Sequence, residues 1–575
     1  QLAQLGYSNI ELIGKGAYGF VFAGSAWQQG VKAHYVFKFS RITLPTHLQE
    51  RLEEEAFMLD QVSHPRIPKL ITYQRARGQS ILVMERAPGW NLEQVSLKQG
   101  RLSPRLIMRI AAQLADILQA LRRETGPNAR PVVHGDIKPS NLVFDATCEA
   151  IALIDWGSSV FAQLDESLQF VGANVMELMS DNLQQTNARL GDVYFIGEEQ
   201  LNGALSSPRF DEQGAAGTLY ALASAQSCRF GHRAIPASSL GLPIEFARTL
   251  DGMLDPDPQV RRKAGDYFIR EMPRMAKLVM VDLPIAPQTP LVPVWGKGLR
   301  RPASQEIDTV VYSSRKAFLR EASAEETLND VNDVQLDRYY KQFMQGMGET
   351  EKAFLASISR LAKYPVVGGL SFHWKDESLF VESSLIMHDE SLKTAFTDAI
   401  NNTVMLAQAI SQKGLFKCCL FDARKTIQLE RDGTGAFKFD NLPELDYEVV
   451  SMKANEIARP HSYFEDGKDP DEQLQLPKKV IRCVFELNQI HHTGCIIFEA
   501  LPDRMKIHHY YRLLDESKEL EFKRLLNKLM QYAVNITDVG VAGFMKLPYK
   551  NTREFSLCEK QPENFFPKNP KLLAQ

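Results

Sequence analysis

The pattern of hydrophobic and polar positions divides the 575-residue chain into two stretches. In the first, short apolar runs separated by turns predict β-strands. One lies on each side of Gly14-Lys15-Gly16-Ala17-Tyr18-Gly19 and another at Tyr35-Val36-Phe37-Lys38-Phe39. Residues 47 to 62 carry Leu48, Leu52, Phe57, Leu59 and Val62 and predict a helix that closes at the turn His64-Pro65-Arg66-Ile67. From about residue 307 the pattern is mixed. Helices are expected over 336–347, 350–361, 390–412 and 517–534. Strands are expected over 366–374, 379–387, 416–422, 427–430, 437–439, 479–487, 494–501 and 539–544. The irregular interleaving predicts an α+β domain. Two halves sharing a layout are one reading of it, although no repeat is strong enough to claim.

Polar residues set into the apolar runs point to chemistry. The stretch Val132-Val133-His134-Gly135-Asp136-Ile137-Lys138-Pro139-Ser140-Asn141-Leu142-Val143 places a Lys and an Asn shortly after an Asp, and Asp155 follows in Ile154-Asp155-Trp156-Gly157. Phosphoryl transfer uses such a set. The first Asp accepts the proton of an attacking hydroxyl, the Lys offsets charge on the moving group, and the Asn and second Asp hold metal ions. Upstream, Gly14, Gly16, Gly19 and Val21 read G-x-G-x-x-G-x-V, where missing Cβ atoms let backbone N–H groups approach phosphate oxygens. A G-x-G-x-x-G alone also fits an ordinary glycine-rich hairpin. Lys38 is the one charge in an apolar strand. Glu53-Glu54-Glu55 in the following helix offers it a partner, and counting back from His64-Pro65 favours Glu55, with Glu54 as runner-up.

In this order the motifs resemble the Hanks-type (eukaryotic-type) serine/threonine protein kinase family over about residues 8 to 275. The resemblance implies a bilobal protein-kinase fold in residues 1–282, with the N-lobe to about 87 and the C-lobe over 88–282. It implies ATP with Mg²⁺ (Mn²⁺ as a substitute) and a protein substrate. Asp136 would be the catalytic base and Lys138 would stabilise transferred charge, while Asn141 and Asp155 would bind metal. Gly14, Gly16 and Gly19 would cover the phosphates that Lys38 and Glu55 position. Met84 would be the gatekeeper, the backbones of Glu85 and Ala87 would meet the adenine, and Val21, Val36 and Val143 would enclose it. Glu199, Asp211 and Arg261 fall where the family keeps a structural Glu, a helix-buried Asp bracing the catalytic loop and the Arg that pairs with the Glu.

The departures are specific. His134-Gly135-Asp136 lacks the Arg that normally binds a phosphorylated activation-loop residue through charge-assisted bonds. Asp155-Trp156-Gly157 stands for Asp-Phe-Gly, and Gly197-Glu198-Glu199 for Ala-Pro-Glu. Asp192 occupies the place of a Thr that usually bonds the catalytic Asp and Lys. The stretch from Asp155 to Glu199 is long, and Leu164 to Leu183, with Phe170, Val171, Val175, Leu178 and Met179, predicts an inserted helix. Two alternatives follow: a small-molecule kinase of the aminoglycoside or choline kinase type, and a nucleotide-binding pseudokinase scaffold. Lys138-Pro139 and the regular glycine pattern favour a protein substrate over the first. Retention of Lys38, Asp136, Asn141 and Asp155 argues against the second.

Composition narrows the remainder. A net charge of −3 argues against a general nucleic-acid binder. No apolar run is long enough to span a bilayer. The seven cysteines are dispersed, with no C-x-x-C, which predicts reduced, mostly buried thiols in a cytoplasmic protein. Residues 283–306 carry five prolines and predict a linker or a strap lying across the kinase, ahead of a regulatory or targeting domain over 307–575. That domain would pack on the kinase or tether a substrate. His491-His492 and His508-His509, with Cys483 and Cys495 nearby, match no metal spacing and are expected at exposed strand ends. The Asp-rich segment 466–472 is expected to be a solvated loop.

Overall fold

The computed structural model describes residues 2–3, 6–15, 19–28, 31–42, 50–76, 78–123, 130–171, 191–275, 285–296, 307–308, 347–375, 378–410, 414–422, 425–431, 435–438, 443–450, 474–547 and 553–557. Those up to 286 form one compact unit and those from 287 a second.

The first unit opens with β1 (Ser8–Lys15), β2 (Gly19–Gln28), β3 (Val31–Ser40), helix α1 (Arg51–Asp60), β4 (Leu70–Ala76) and β5 (Gln79–Glu85). The strands form one antiparallel sheet in the order β1-β2-β3-β5-β4. Alternation along β3 sends Tyr35 and Phe37 into an apolar cluster and leaves Val36 and Lys38 on the opposite face. Helix α1 buries Glu55, Ala56, Met58 and Leu59 at helical spacing and packs on β4 and β5.

A helical lobe follows: β6 (Trp90–Asn91), α2 (Leu92–Gln99), α3 (Pro104–Leu121), β7 (Val132–Val133), β8 (Leu142–Asp145), β9 (Ala150–Leu153), β10 (Val160–Phe161), α4 (Glu198–Leu201), α5 (Arg209–Ser224), α6 (Ile244–Met253) and α7 (Pro258–Met275). Asn91 and Ser103 cap α2 and α3 by accepting from the N–H groups of Gln94 and Leu106, and Pro104 takes the first position of α3. Helix α5 is buried nearly throughout because small residues let other chain segments come close. A Cβ on Gly214 would meet the Ile137 carbonyl at 3.0 Å. That contact sets α5 directly beneath the segment carrying Asp136.

The second unit contains β11 (Val294–Gly296), β12 (Ile307–Asp308), α8 (Glu349–Leu361), β13 (Val366–Lys375), β14 (Ser378–Ser383), β15 (Leu385–Met387), α9 (Lys393–Ala409), β16 (Gly414–Asp422), β17 (Ile427–Glu430) and β18 (Glu448–Val449). It continues with α10 (Lys478–Asn488), β19 (His492–Ala500), β20 (Arg504–Leu513), α11 (Glu519–Ala533), β21 (Gly540–Lys546) and β22 (Arg553–Ser556). It is built from two copies of one layout. Val366 and His492, Lys393 and Glu519, Gly414 and Gly540, and Ile427 and Arg553 begin equivalent elements, each pair 126 residues apart. Gly414 (φ 154°) and Gly540 (φ 150°) enter their strands with the same left-handed backbone. Asp389 and Asp515 make the same turn, each accepting from the N–H and hydroxyl of a Ser two residues on. Phe372 and Phe498, Phe396 and Phe522, and Asn401 and Asn527 are identical pairs.

The copies exchange strands. β17 follows β16 in the chain but pairs with β20 of the other copy, and β22 follows β21 but pairs with β14. The sheets therefore run β22-β14-β13-β16 and β17-β20-β19-β21. Equivalent residues meet between the copies. Cys419 Sγ lies 3.2 Å from Met545 Sδ, and the hydroxyls of Ser384 and Tyr510 lie 2.6 Å apart. Such pairing of a position with its own counterpart marks a local two-fold axis.

Several expectations are corrected. Residues 479–487 form helix α10 rather than a strand, since Val480, Cys483, Val484 and Leu487 bury one helical face. Strand β20 was not anticipated. His492, His508 and His509 are buried, not exposed at strand ends. Leu164 to Val171 form a turn closed by a Leu164–Phe170 bridge instead of starting a helix, and Asp165 Oδ1 accepts the N–H groups of Ser167 and Gln169. The rest of that expected helix, residues 172–183, lies outside the described residues, as do residues 336–346 of another and the 466–472 loop. The helix expected from residue 47 is described from Arg51. Part of the proline-rich stretch belongs to the second unit, because β11 pairs in parallel with β15 and Asn401 holds Thr289 and Leu291. Its counterpart β18 pairs in parallel with the end of β20. No described helix is long and apolar enough to cross a membrane. Six described cysteines are free thiols, and only Cys148 is exposed.

Gly369 sits at the contact between copies, where a Cβ would meet Met545 Sδ at 2.6 Å and Leu547 Cδ2 at 2.8 Å. Gly369→Val should cost about 1–3 kcal/mol by overpacking. Hydrogen exchange should quicken in β13 and β21 together, with β3 and β5 unchanged. Exchange that quickens in β13 alone would contradict a shared contact.

Candidate active site

Sheet register assembles one wall of the site. Val21 pairs with Lys38 and Lys38 with Leu82, while Ala23 pairs with Val36 and Val36 with Met84. Directly opposed residues share a face, so Val21, Val36, Lys38 and Met84 stand on one side of the sheet. Gly14 opposes Val21, and Gly19 must be glycine because a Cβ there would lie 1.8 Å from the Phe39 carbonyl. Gly16 lies outside the described residues. After β5, the N–H of Glu85 bonds the Lys69 carbonyl, while the backbone of Ala87 has no partner among the described residues. Val143 is half-buried on β8.

Lys38 is the electrostatic centre of the site. Its Nζ lies 2.5 Å from Glu55 Oε1 and 2.7 Å from Asp155 Oδ1. Burial opposes its charge, but the two carboxylates more than offset that and push its pKa above the ordinary lysine value. The same ammonium is the main cause that holds the Asp155 carboxyl down to about 2. Glu55 is buried and also accepts the N–H of Trp156. Glu54 forms no ion pair with Lys38. Asp155 has φ 67°, a left-handed conformation that Asp tolerates better than most residues. Trp156 is 1% exposed and meets the His134 ring edge-on at 4.9 Å.

The catalytic loop is fixed from below. Asp211 on α5 accepts the N–H groups of His134 and Gly135, both at 2.8 Å. Burial raises the Asp211 carboxyl, and His134 and the two N–H donors oppose that rise. Gly135 has φ +79°, and a Cβ there would lie 2.7 Å from the Ser158 carbonyl. Asn141 donates Nδ2 to the Asp136 carbonyl at 2.9 Å and to Asp136 Oδ2 at 3.0 Å, leaving its Oδ1 open. Lys138 Nζ lies 2.8 Å from Asp136 Oδ2. Burial opposes the Lys138 charge, yet Asp136 and Asp192 raise its pKa above the ordinary value.

The segment after Asp155 is tied down by polar contacts. β10 pairs with β7, Gln200 Nε2 donates to the Gly135 carbonyl at 2.7 Å, and the Asp192 N–H donates to Asp136 Oδ1 at 2.8 Å. Glu199 pairs with Arg261 and accepts from Gln213. Sequence reasoning did not single out Gln200 or Gly191. A Cβ on Gly191 would lie 2.4 Å from the Gly135 carbonyl, a tertiary constraint with no local motif to signal it.

The donor set suits a hard divalent cation. The open Asn141 Oδ1 and the ionised Asp155 carboxylate are oxygen ligands, which Mg²⁺ and Mn²⁺ prefer. No group of three or more His, Cys, Asp or Glu suited to a metal occurs among the described residues.

Comparison with known proteins agrees with this geometry. Residues 7–225 match the family described as Protein kinase domain. Serine/threonine-protein kinase B of Synechocystis is 30% identical over 168 residues, covering 28% of this chain and 28% of that protein. Serine/threonine-protein kinase C of the same organism is 28% identical over 158 residues, covering 26% and 28%. Serine/threonine-protein kinase pkn2 of Myxococcus xanthus is 24% identical over 201 residues, covering 35% and 22%. The chain thus matches less than a third of the length of each of these relatives. The ordered motifs, the paired charges and the family match agree: residues 7–225 of this chain are a protein kinase domain, similar in sequence to serine/threonine-protein kinases.

Proposed function

We propose that the first unit is an ATP- and Mg²⁺-dependent protein serine/threonine kinase that also phosphorylates itself. The supporting observation is the simultaneous pairing of Lys38 with Glu55 and Asp155, beside an Asp136 carboxylate oriented by Asn141 and Lys138. A metal bound by Asn141 and Asp155 would neutralise charge on the nucleotide phosphates. Asp136 orients the Ser or Thr hydroxyl and accepts its proton as the new O–P bond forms and the γ-phosphoryl group leaves ADP. Lys138 offsets charge on that group, and Lys38 fixes the α- and β-phosphates. The relatives' names, all serine/threonine-protein kinases, support a protein acceptor.

Asp136→Ala should lower kcat by about a hundredfold or more while leaving nucleotide affinity within about threefold. Equal radiolabel transfer by variant and native protein would remove Asp136 from the role of base. Transfer to an aminoglycoside or choline, with none to protein, would establish the small-molecule alternative.

The described parts of the activation segment are held by Gln200, Asp192 and β10, and Gly135 stands where an Arg would read phosphate. Activity is therefore expected not to require a phosphate in residues 158–198. Phosphatase-treated protein should keep most of its initial rate. A loss beyond about tenfold, restored by rephosphorylation of one site there, would contradict this.

For the second unit we propose a regulatory or substrate-tethering role, supported by its own hydrophobic core and its covalent attachment to the catalytic unit. With a protease site placed between residues 276 and 284, the two units can be cut apart after folding. Regulation by contact predicts a rate on a generic peptide that changes more than about twofold on cleavage. Tethering predicts an unchanged generic rate and a loss only on a bound native substrate.

A further inference from the structure

Asp192 introduces a charge where the family resemblance leads one to expect a hydroxyl. Its place is fixed by backbone. Gly191 allows contact with the Gly135 carbonyl, and the Asp192 N–H is spent on Asp136 Oδ1. The side chain is oriented as well, because Asp192 Oδ1 accepts the Tyr194 N–H at 3.0 Å. Its other oxygen lies 3.7 Å from Lys138 Nζ, which already contacts Asp136 at 2.8 Å. The Asp192 side chain stays about a third open, at 32% exposure, so it borders the place where an acceptor hydroxyl must reach Asp136.

Two carboxylates, Asp136 and Asp192, flank Lys138 Nζ at 2.8 and 3.7 Å. Among the described residues Lys138 is the cation in ion-pair reach of both, while Lys38 is held by Glu55 and Asp155. An acceptor segment entering here meets a net negative field at short range. Opposite charges a few ångströms apart in a partly exposed site attract, and like charges repel. We propose that Asp192 is a specificity-determining residue that selects acceptor segments carrying a Lys or Arg next to the phosphorylated Ser or Thr, and rejects acidic ones.

The inference rests on the protein kinase reading and deepens it. It is tested on the full chain with three serine peptides that differ only in carrying Lys, Leu or Glu beside the acceptor. The native protein should prefer Lys to Leu by about tenfold in kcat/KM, mainly through KM, with Glu below Leu. The preference should shrink as salt rises from about 0.05 to 0.5 M, because exposed charges are then screened within a few ångströms. Asp192→Asn, which keeps an oxygen for Tyr194, and Asp192→Thr, which restores a hydroxyl, should both reduce the Lys preference below about threefold. The ratio is read within each protein, so a general loss of rate does not decide the outcome. An unchanged preference in both variants, or a native preference absent or indifferent to salt, overturns the proposal. Transfer to peptides without cation preference overturns it alone, whereas no transfer to any peptide or to the chain itself overturns the kinase reading and this proposal with it.

Discussion

A single, mostly buried ammonium organises the catalytic unit. Lys38 belongs to β3, Glu55 to α1 and Asp155 to the segment that follows β9, so their contacts tie together three parts of the chain far apart in sequence. Glu55 could not stand unpaired at that depth without a large desolvation cost, and neither could the mostly buried lysine, while the half-exposed Asp155 completes the pairing from the open side. The sheet register, the inward placement of α1 and the left-handed Asp155 backbone are therefore mutually dependent. Asp211 applies the same logic to the catalytic loop. One buried carboxylate satisfies two N–H groups that a tight, glycine-dependent turn would otherwise leave without partners.

Much of this unit was legible because its chemistry is written in short, ordered motifs. The Lys38, Asp136, Asn141 and Asp155 positions could be named from neighbours alone, and the structure brings them together. What was not legible depends on tertiary distance. Gly191 and Gln200 carry no local signal, and the chain after Leu164 turns on Asp165 although its apolar spacing suggested a helix. Phe170 in that turn is 64% exposed, so the apolar residue that suggested a buried face does not make one.

The second unit was harder to read for a different reason. Its repeat preserves layout far more than sequence: Phe396 and Phe522 match, but Gly369 has Cys495 as its counterpart and Ser384 has Tyr510. The contact between copies demands unlike residues, since a bulky Tyr510 on one side needs a small Ser384 on the other. In helix α10 the β-branched Val480, Ile481 and Val484 favour a strand locally, and tertiary burial of one helical face overrides that propensity. The proline-rich segment was read as spacer because proline density reports backbone conformation and says nothing of which sheet edge the segment will join.

The exchange of β17 and β22 has a consequence for how the chain matures. The first copy's sheet is completed by residues 553–556, which leave the ribosome last among the described residues. Until they arrive, β14 presents a bare edge of N–H and C=O groups, the kind of edge that recruits strands from other chains. The catalytic unit takes its strands from its own residues and can close much earlier. Synthesis thus passes through a stage in which a finished kinase fold is followed by a half-built, adhesive sheet. Slow decoding between β14 and β22 would prolong that exposure, so the aggregation hazard of the second unit is concentrated in the interval between synthesis of these two strands.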